Sequence, residues 1–316
     1  MKSLKDKVAV VAGATRGTGR GIACALGEAG AIVYCTGRST RENRKAREKG
    51  KKTNAFDLAN RPETIEETAE MVTVRGGLGI HVQVDHTDEE QVKKLFARVK
   101  KEQGKLDILV NDIWGGDELT EWKPLWKHSL QKGMLMIERA VNTHIITSHY
   151  AIPLMIETGS GLIVEVTDGN HFGYRGSFFY DLVKTSVIRL AFLQATELKK
   201  HKITALAITP GFIRSEAMLD YFGVTEENWR DAVKKRPDFG ESETPLYVGR
   251  AVAALAADKK VFKKTGRVYS VWDIGPEYGF TDIDGRQPDM RPWFEKNMPN
   301  FKWKICDETF YEYWGS

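Results

Sequence analysis

The sequence predicts an α/β fold in which helices cover both faces of a parallel sheet of seven strands. Short apolar, β-branched runs alternate along the chain with segments of helical periodicity, which is the order that builds such sheets. The first apolar run leads directly into a glycine-rich turn between Gly13 and Gly21, and then into a helical segment. Further along, Tyr180 and Lys184 stand four residues apart in a helical segment, which places both side chains on one face.

Composition limits the class of protein. At 316 residues, 41% hydrophobic and 28% charged, the chain can bury one large core. We predict one domain over residues 1–275 and an aromatic C-terminal extension over residues 276–316. A net charge of +4, spread along the chain, argues against a nucleic-acid partner. Three cysteines without metal-ligand spacing argue against zinc, and the lack of a long apolar run predicts a cytoplasmic protein without a membrane span.

The first strand, Val8 to Val11, and the turn after it form a candidate nucleotide site. Glycines let the backbone approach a diphosphate closely, while the amides and the positive end of the following helix hold its charge. A plain tight turn is the alternative, but the strand before it and the helix after it favour nucleotide binding. The predicted contacts are Gly13, Thr15, Arg16, Gly17, Thr18 and Gly19.

The second strand, Ile32 to Thr36, ends close to Arg38, where an NAD site would place an acid on the ribose. Arg38 and Arg16 instead offer two guanidinium groups, which suit a 2′-phosphate and predict NADP(H). The alternative is that both are solvated surface charges. Residues 39–61 are basic and are interpreted as a surface insertion that could also fold over the cofactor phosphate.

The third and fourth strands, Ile80 to Val84 and Leu106 to Val110, are each followed by polar residues. Because ligands of open parallel sheets bind at the carboxyl ends of strands, we expect Asp85, His86 and Asn111 beside the adenosine.

Aromatic and acidic residues follow the fourth strand, starting at Trp114, and precede a predicted helix from Met134 to Glu157 that carries Asn142. Tryptophan and acid at the mouth of a site could hold an aromatic or cationic substrate. A surface loop held by tryptophans is an equally good interpretation.

The last strands are predicted at Leu162 to Val166, Ile203 to Ile208 and Val268 to Trp272. Thr167 and Asp168 follow the first of these. The loop after the sixth strand opens residues 212–245, a segment interpreted as a lid over the sheet.

The pair Tyr180 and Lys184 is the candidate proton-handling centre. A free phenol has a pKa of about 10, and a nearby cation favours the phenolate and lowers that value. An amphipathic helix with a solvated lysine is the alternative for the pair considered alone.

Together these motifs resemble the short-chain dehydrogenase/reductase family from Lys5 to about Gly275. The segment from Ile274 to Gly285 is similar to the subgroup containing dehydrogenase/reductase family member 1. The motifs in the family's order and spacing are the turn with Gly13, Gly17 and Gly19, the Asn111 segment, the Tyr180 and Lys184 pair, and Pro210-Gly211.

The resemblance implies a Rossmann-type, doubly wound sandwich and a catalytic tetrad of Asn142, a hydroxyl near position 167, Tyr180 and Lys184. Tyr180 would donate a proton to the substrate oxygen, Lys184 would bind the nicotinamide ribose, and Asn142 would hold a relay water. The loop after the sixth strand would contact the cofactor, and the family usually forms homodimers or homotetramers. The loop residues concerned are Pro210, Gly211, Ile213 and Ser215.

Two departures from the family pattern affect the site. The usual Asn-Asn-Ala-Gly motif is replaced, so that Trp114 crowds a place left to small residues. The usual serine after the fifth strand is also missing. Spacing from Tyr180 selects Thr167 for its role, whereas the strand aligned without gaps selects Asp168. We expect Thr167 to supply the hydroxyl, because a carboxylate cannot donate, and we expect Asp168 and Trp114 to contact the substrate.

The sequence therefore predicts an NADP(H)-dependent oxidoreductase that acts on a small-molecule carbonyl or alcohol. The rival prediction is a nucleotide-binding regulator that keeps the fold but has lost turnover through the altered serine position.

Overall fold

In the computed structural model, residues 3–43, 55–57, 61–171 and 173–298 are described. Their fold is the predicted one, with helices on both faces of a seven-stranded parallel sheet of order β3-β2-β1-β4-β5-β6-β7. The strands are β1 Val8–Ala12, β2 Ile32–Gly37, β3 Leu78–Gln83, β4 Ile108–Asn111, β5 Gly161–Val166, β6 Ile203–Thr209 and β7 Val268–Ser270. The helices are α1 Gly17–Glu28, α2 Ile65–Val74, α3 Glu89–Gln103, α4 Leu130–Ile137, α5 Thr143–Thr158, α6 Phe178–Leu198, α7 Glu216–Phe222, α8 Pro245–Ala257, α9 Val271–Tyr278 and α10 Arg291–Asn297.

The central strand β1 separates the two halves of the core. Ala9 and Val11 belong to the cluster that contains residues of α1 and α8, whereas Val8 and Val10 belong to the cluster containing residues of α3 and α5. Successive side chains of a strand point to opposite faces, so an apolar run with no polar member is buried on both sides. The uninterrupted run of valines and alanines therefore specifies a strand with helices above and below it.

Three element boundaries are set by features other than the apolar pattern, and side chains explain two of them. α2 begins at Ile65 because Thr64 and Glu67 form a reciprocal capping box. The seventh strand stops at Ser270, whose hydroxyl accepts a hydrogen bond from the Trp272 amide, so Trp272 lies in α9 and its predicted place in a strand is wrong. The predicted helix Met134 to Glu157 is instead α4 and α5 joined by a π-helical turn, Glu138–Asn142.

Residues 212–245, interpreted as a lid, contain α7 and two short 3₁₀ turns around a small apolar cluster of their own. Trp229 and Phe239 are buried in that cluster. Beneath it the fully buried Arg214 guanidinium pairs with Glu226 at 2.8 Å. A segment with its own core can move as one body, so the interpretation as a lid stays a prediction.

The C-terminal extension is described only as far as residue 298. Trp293 and Phe294 of α10 pack against the core cluster that contains α1 and α8 residues. The rest of the predicted extension, and much of the predicted insertion at 39–61, lies outside the described residues.

Candidate active site

A cavity of 1410 Å³ lies at the carboxyl ends of the strands. The strand order reverses between β1 and β4, because the chain continues from β1 to β2 and β3 on one side and returns to β4 on the other side of β1. In doubly wound sheets this reversal leaves a crevice for a ligand. Most of the residues that the sequence singles out line it. They are Gly13, Thr15, Arg16, Gly17, Thr18, Arg38, Asp85, His86, Trp114, Thr167, Asp168, Tyr180, Lys184, Pro210, Gly211, Ile213 and Ser215.

The glycine turn packs too closely for side chains. Gly13 has φ +91°, and a Cβ there would lie 2.3 Å from the backbone oxygen of Asp112. A Cβ at Gly19, which does not line the cavity, would lie 2.4 Å from the Gly13 oxygen. The turn is therefore held against the loop after β4, with the first turn of α1 at the edge of the cavity.

An internal carboxylate already sits at the start of α1. The Gly17 amide donates to Glu216 Oε2 at 2.8 Å, and Arg20 Nη1 lies 3.6 Å from Glu216 Oε1. Both donors suit an anion, because the first amides of a helix are unsatisfied and the helix dipole is positive there. The Glu216 carboxylate thus takes the position at the glycine turn that a phosphate group of the cofactor is expected to take.

The two arginines predicted at the 2′-phosphate are in different situations. Arg38 is half-exposed and lines the cavity, and among the described residues its guanidinium has one long contact, 3.9 Å, with Asp85. Arg16 is held by Glu63 at 3.1 Å and by Ser39 at 3.3 Å. Burial lowers the pKa of Arg16, although Glu63 opposes that shift. Arg38 is therefore the more available of the two for a ligand.

Sequence reasoning missed a third arginine at this end of the cavity. Arg61 is buried, forms an ion pair with Glu63, and donates to Asp220 of α7 at 2.6 Å. The only available signal was its place at the end of a basic insertion. This pair links the segment before α2 to the lid across the cavity.

The polar residues after β3 take separate roles. Burial raises the pKa of Asp85, but hydrogen bonds from the Thr87 amide and hydroxyl outweigh it and hold that pKa below its ordinary value. His86 is buried between the hydroxyls of Thr36 and Thr147, each 2.8 Å away. Burial lowers the pKa of His86 to about 3, so its imidazole is neutral near pH 7.

Asn111 does not line the cavity, which corrects the expectation of a side-chain contact with adenosine. Its amide donates to Ser148 at 3.0 Å and to Glu165 at 2.9 Å. Glu165 also contacts His144 at 2.6 Å. Because its partners come from the interior of the sheet and from α5, Asn111 is drawn into a buried polar network beneath the site.

Asn142 closes the π-helical turn and does not line the cavity, whereas Arg139 and Thr143 do. Its side chain forms no hydrogen bond with any other described residue, and the expected relay role stays a prediction. π-helical turns within α-helices are frequent at functional sites, and this one lies next to the cavity.

Tyr180 and Lys184 meet in the cavity as predicted by their spacing, but their electrostatics differ from the expectation. The Tyr180 hydroxyl donates to Asp168 Oδ2 at 2.7 Å. Burial, and then the Asp168 carboxylate, raise the pKa of Tyr180 well above its ordinary value. The expected lowering of the Tyr180 pKa by Lys184 is therefore wrong, because burial and the Asp168 carboxylate together hold the proton on the phenol.

Lys184 is packed against aromatic rings. Its Nζ lies 4.0 Å from the centre of the Trp114 ring and 5.5 Å from that of Tyr180. Burial lowers the pKa of Lys184, opposed by the Asp168 and Asp112 carboxylates. The Trp114 ring also meets Tyr180 edge-on at 5.6 Å, so it fixes both side chains.

The structure reverses the expectation for the serine position. The Thr167 hydroxyl donates its hydrogen bond to the backbone oxygen of Lys184 at 2.7 Å. This bond connects the end of β5 to α6, so the hydroxyl proton is not available to a substrate. Asp168 occupies the place beside the Tyr180 hydroxyl. Aligning the fifth strand without gaps, which selects Asp168, therefore predicted this position better than counting back from Tyr180. The number of residues between the two positions differs from the family pattern in the loop before α6.

Arg175, which sequence reasoning missed, fixes that loop. Its Nε donates to the Asp168 backbone oxygen at 2.6 Å and its Nη1 contacts Asp181 at 2.7 Å. It therefore ties the residue beside Tyr180 to the first turn of α6. No pattern in the sequence marked it.

Asp112, in place of the motif's second asparagine, lines the cavity next to the glycine turn. Burial raises the pKa of Asp112 to about 7, although Lys184, His144 and the Gly19 amide favour its ionised form.

The loop after β6 completes the wall. Pro210, Gly211 and Ile213 border the cavity, and the Ser215 hydroxyl accepts a hydrogen bond from the Met218 amide at the start of α7. Within the described residues, no group of three or more histidine, cysteine, aspartate or glutamate side chains could hold a metal ion. None of the helices described is long and apolar enough to cross a membrane.

Comparison with known proteins gives concordant matches. A family model described as enoyl-(acyl carrier protein) reductase matches residues 44–271. Mouse dehydrogenase/reductase SDR family member 1 is 33% identical, with 96% of each chain covered. The 7alpha-hydroxysteroid dehydrogenase of Clostridium sardiniense is 28% identical over 86% of this chain and 94% of that one. A crystal structure of a putative dehydrogenase from Xanthomonas campestris superposes with a TM-score of 0.71 at 20% identity, covering 91% of this chain and 95% of that one.

Proposed function

Because the chain belongs to the short-chain dehydrogenase/reductase family, we propose that it is an NADP(H)-dependent oxidoreductase that interconverts a carbonyl and an alcohol. One observation carries the proposal: the Tyr180 hydroxyl, Lys184 and the glycine turn border the same cavity. This shared cavity supports the proposal that the Tyr180 phenol transfers a proton beside a dinucleotide bound at the start of α1.

The residues present fit that cofactor. The crowded Gly13 turn, the Gly17 amide and the half-exposed Arg38 all line the cavity, and they suit a diphosphate and a 2′-phosphate. When bound, NADPH supplies the hydride. Arg38 would contact the 2′-phosphate, Ser215 the nicotinamide carboxamide, and Lys184 the nicotinamide ribose.

Tyr180 is the proposed general acid in the direction of reduction. Its raised pKa keeps the phenol protonated, so that it can donate a hydrogen bond and then a proton to a substrate oxygen. Asp168 and Trp114 orient the phenol from two sides. In the direction of oxidation Tyr180 would first have to lose its proton before its oxygen could accept that of the alcohol.

Two further proposals concern the assembly and its location. We propose a homodimer or homotetramer formed through α5 and α6, supported by large apolar side chains that are exposed on these helices. Those side chains are Ile145, Ile156, Phe178, Leu182 and Leu193. A cytoplasmic location stays a proposal from the cysteine content.

The test is NADPH oxidation by the purified full chain with a panel of carbonyl compounds. The panel should include steroid ketones and a 3-oxoacyl thioester, because similar proteins are a 7alpha-hydroxysteroid dehydrogenase and 3-oxoacyl-[acyl-carrier-protein] reductases, together with aldehydes and quinones. We expect turnover with at least one member. Tight NADPH binding without turnover on any of them would contradict the proposal.

That outcome would favour the second candidate, a nucleotide-binding regulator. Its supporting observation is the Asp168 carboxylate, which accepts where the family's hydroxyl would donate. A regulator would bind NADPH and change its assembly or partner binding without oxidising the cofactor.

Replacing Arg38 by alanine tests the preference for NADPH. We expect the NADPH to NADH affinity ratio to fall about 10- to 100-fold, because a guanidinium contact with a phosphate is lost while NADH has no such phosphate. Fluorescence titration of both cofactors measures it. Arg41→Ala is the matched control, since Arg41 is also exposed near the end of β2 but pairs with Glu70 at 2.6 Å. An unchanged ratio in Arg38→Ala would remove the basis for NADP(H).

Replacing Glu216 by glutamine tests the anion site at α1. The Glu216 carboxylate accepts the hydrogen bond of the Gly17 amide and would repel a diphosphate. Removing its charge should therefore tighten NADPH binding about 3- to 10-fold at low salt. Glu227→Gln, on the exposed part of the lid, removes the same charge elsewhere and should leave the dissociation constant unchanged. Weaker NADPH binding in Glu216→Gln would mean that the carboxylate supports the cofactor site instead.

A further inference from the structure

Only one of the two oxygens of the Asp168 carboxylate accepts a hydrogen bond within the described residues. Oδ2 accepts the hydrogen bond of Tyr180, while Oδ1 accepts none from any described residue, and Asp168 lines the cavity. An anionic acceptor therefore faces the space beside the phenol, where the oxygen of a substrate would lie. A donor or a positive charge on the substrate would complement it.

Nearby cations do not neutralise this carboxylate by a salt bridge. The Arg175 guanidinium is shared between Asp181 and the backbone oxygens of Asp168 and Gly169. Lys184 rests over the Trp114 ring, and Arg139 donates to the Gly115 oxygen. No salt bridge to the Asp168 side chain exists among the residues that the structure describes.

Aromatic rings surround the same place. Trp122 is 69% exposed with its ring centre 6.1 Å from that of Tyr180, and Tyr174 is 64% exposed on the same cavity. The Asp117 carboxylate, held by the Trp114 indole N–H at 2.8 Å, adds a second negative charge on this side. Aromatic faces next to carboxylates are typical of sites for organic ammonium groups.

We propose that the substrate carries an ammonium group on the carbon next to the reacting carbonyl, and that Asp168 is the residue that selects it. This inference rests on the proposed function. A neutral ketone would develop alkoxide charge beside a carboxylate that no salt bridge within the described residues pairs, which is unfavourable. An α-ammonium group offsets both charges, since it lies close to the alkoxide and to the open Oδ1.

The chemistry balances without a further reactant. In reduction the carbonyl carbon gains a hydride from NADPH, the carbonyl π pair moves onto oxygen, and that oxygen takes the Tyr180 proton. The C–N bond stays intact, and the product is a β-ammonium alcohol. Oxidation of the alcohol runs the same steps in reverse.

A matched pair of ketones tests the charge alone. The 2-oxo-2-phenylethyl trimethylammonium ion and 3,3-dimethyl-1-phenylbutan-1-one have the same shape, because a quaternary nitrogen replaces a quaternary carbon. Inductive activation by the ammonium is the same for every variant, so the informative quantity is the change in the kcat/KM ratio, charged over neutral. We expect Asp168→Asn to lower this ratio at least about tenfold, mainly through KM for the charged ketone.

Asp231→Asn, an exposed lid carboxylate, is the control for net charge and should leave the ratio unchanged. Asp168→Ser should lower the ratio as well and raise kcat/KM for the neutral ketone, because it restores a hydroxyl donor. A ratio that is equal in wild type and Asp168→Asn would overturn the inference while Tyr180-dependent turnover upheld the proposed function. Absence of turnover with both ketones and the wider panel would instead count against the proposed function.

A second measurement uses the wild-type protein alone, in case the variants do not fold. The charged product alcohol should inhibit at least about tenfold more strongly than its neutral counterpart, and that advantage should shrink as salt is raised. Equal inhibition constants at low salt would also overturn the inference.

Discussion

Tyr180→Phe is expected to lower kcat about 10²- to 10⁴-fold while the NADPH dissociation constant changes less than about threefold. The substitution removes the oxygen that donates to the Asp168 carboxylate and that is proposed to protonate the substrate. The ring remains to pack against Trp114 at 5.6 Å, so the shape of the cavity is kept. Stopped-flow or steady-state NADPH oxidation with the best substrate of the panel gives kcat, and fluorescence titration gives the cofactor affinity.

Tyr174→Phe is the matched control, because Tyr174 lines the same cavity and is exposed without a hydrogen bond to another described residue. It should retain wild-type kcat. The pH profile gives a second readout: because burial and Asp168 raise the pKa of Tyr180, the reduction rate should persist toward pH of about 10, the ordinary value of a phenol. Turnover of Tyr180→Phe at the wild-type rate would show that the proton comes from another group.

Asp112→Asn is expected to stabilise the protein at pH 8 and to have little effect near pH 4. Burial raises the pKa of Asp112 to about 7, so the folded state disfavours the ionised carboxylate that the unfolded chain carries freely. Below the unfolded pKa both states are protonated, and the wild type is not penalised. The penalty grows as pH rises from about 4, the unfolded pKa, to about 7, the folded pKa, and is constant above that. It reaches at most about 4 kcal/mol, and about 2 kcal/mol once solvent in the cavity screens the charge.

Urea unfolding of both proteins at pH 5 and pH 8 measures the difference in free energy of unfolding. Asparagine is nearly isosteric and can still accept the Gly19 amide, so the gap should grow with pH. A gap of the same size at both pH values would mean that shape or hydrogen bonding, and not ionisation, controls the effect. Asp112→Ala separates these terms, because it removes the acceptor as well as the charge.

The backbone of this protein follows from patterns that are local in sequence. β1 is recognisable because its apolar run is unbroken, and α1 because a glycine turn precedes helical spacing. The same reasoning put Trp272 in a strand because apolar runs alone do not mark where a strand stops. The Ser270 hydroxyl that caps α9 decides the matter.

The site was less predictable because its chemistry depends on partners that are distant in sequence. Tyr180 and Lys184 were found by spacing, yet the Tyr180 pKa shift depends on burial in the folded protein and on Asp168, which lies outside α6. Asn111 looked like a ligand because of where its strand ends, but Ser148 and Glu165 draw it inward. Glu216 gave no signal and Arg61 gave only its place in a basic segment, since the importance of both lies in contacts across the cavity.

The sheet order has a consequence for the order of events during synthesis on the ribosome. β1 pairs with β2 on one side, but its other neighbour is β4, where Ala9 meets Ile108 roughly 100 residues later. At about 5–20 residues per second, the nascent chain presents an open, wholly apolar strand edge for roughly 5–20 s. A chaperone that shields this edge until residue 111 has emerged would therefore protect the nascent chain from non-native strand pairing.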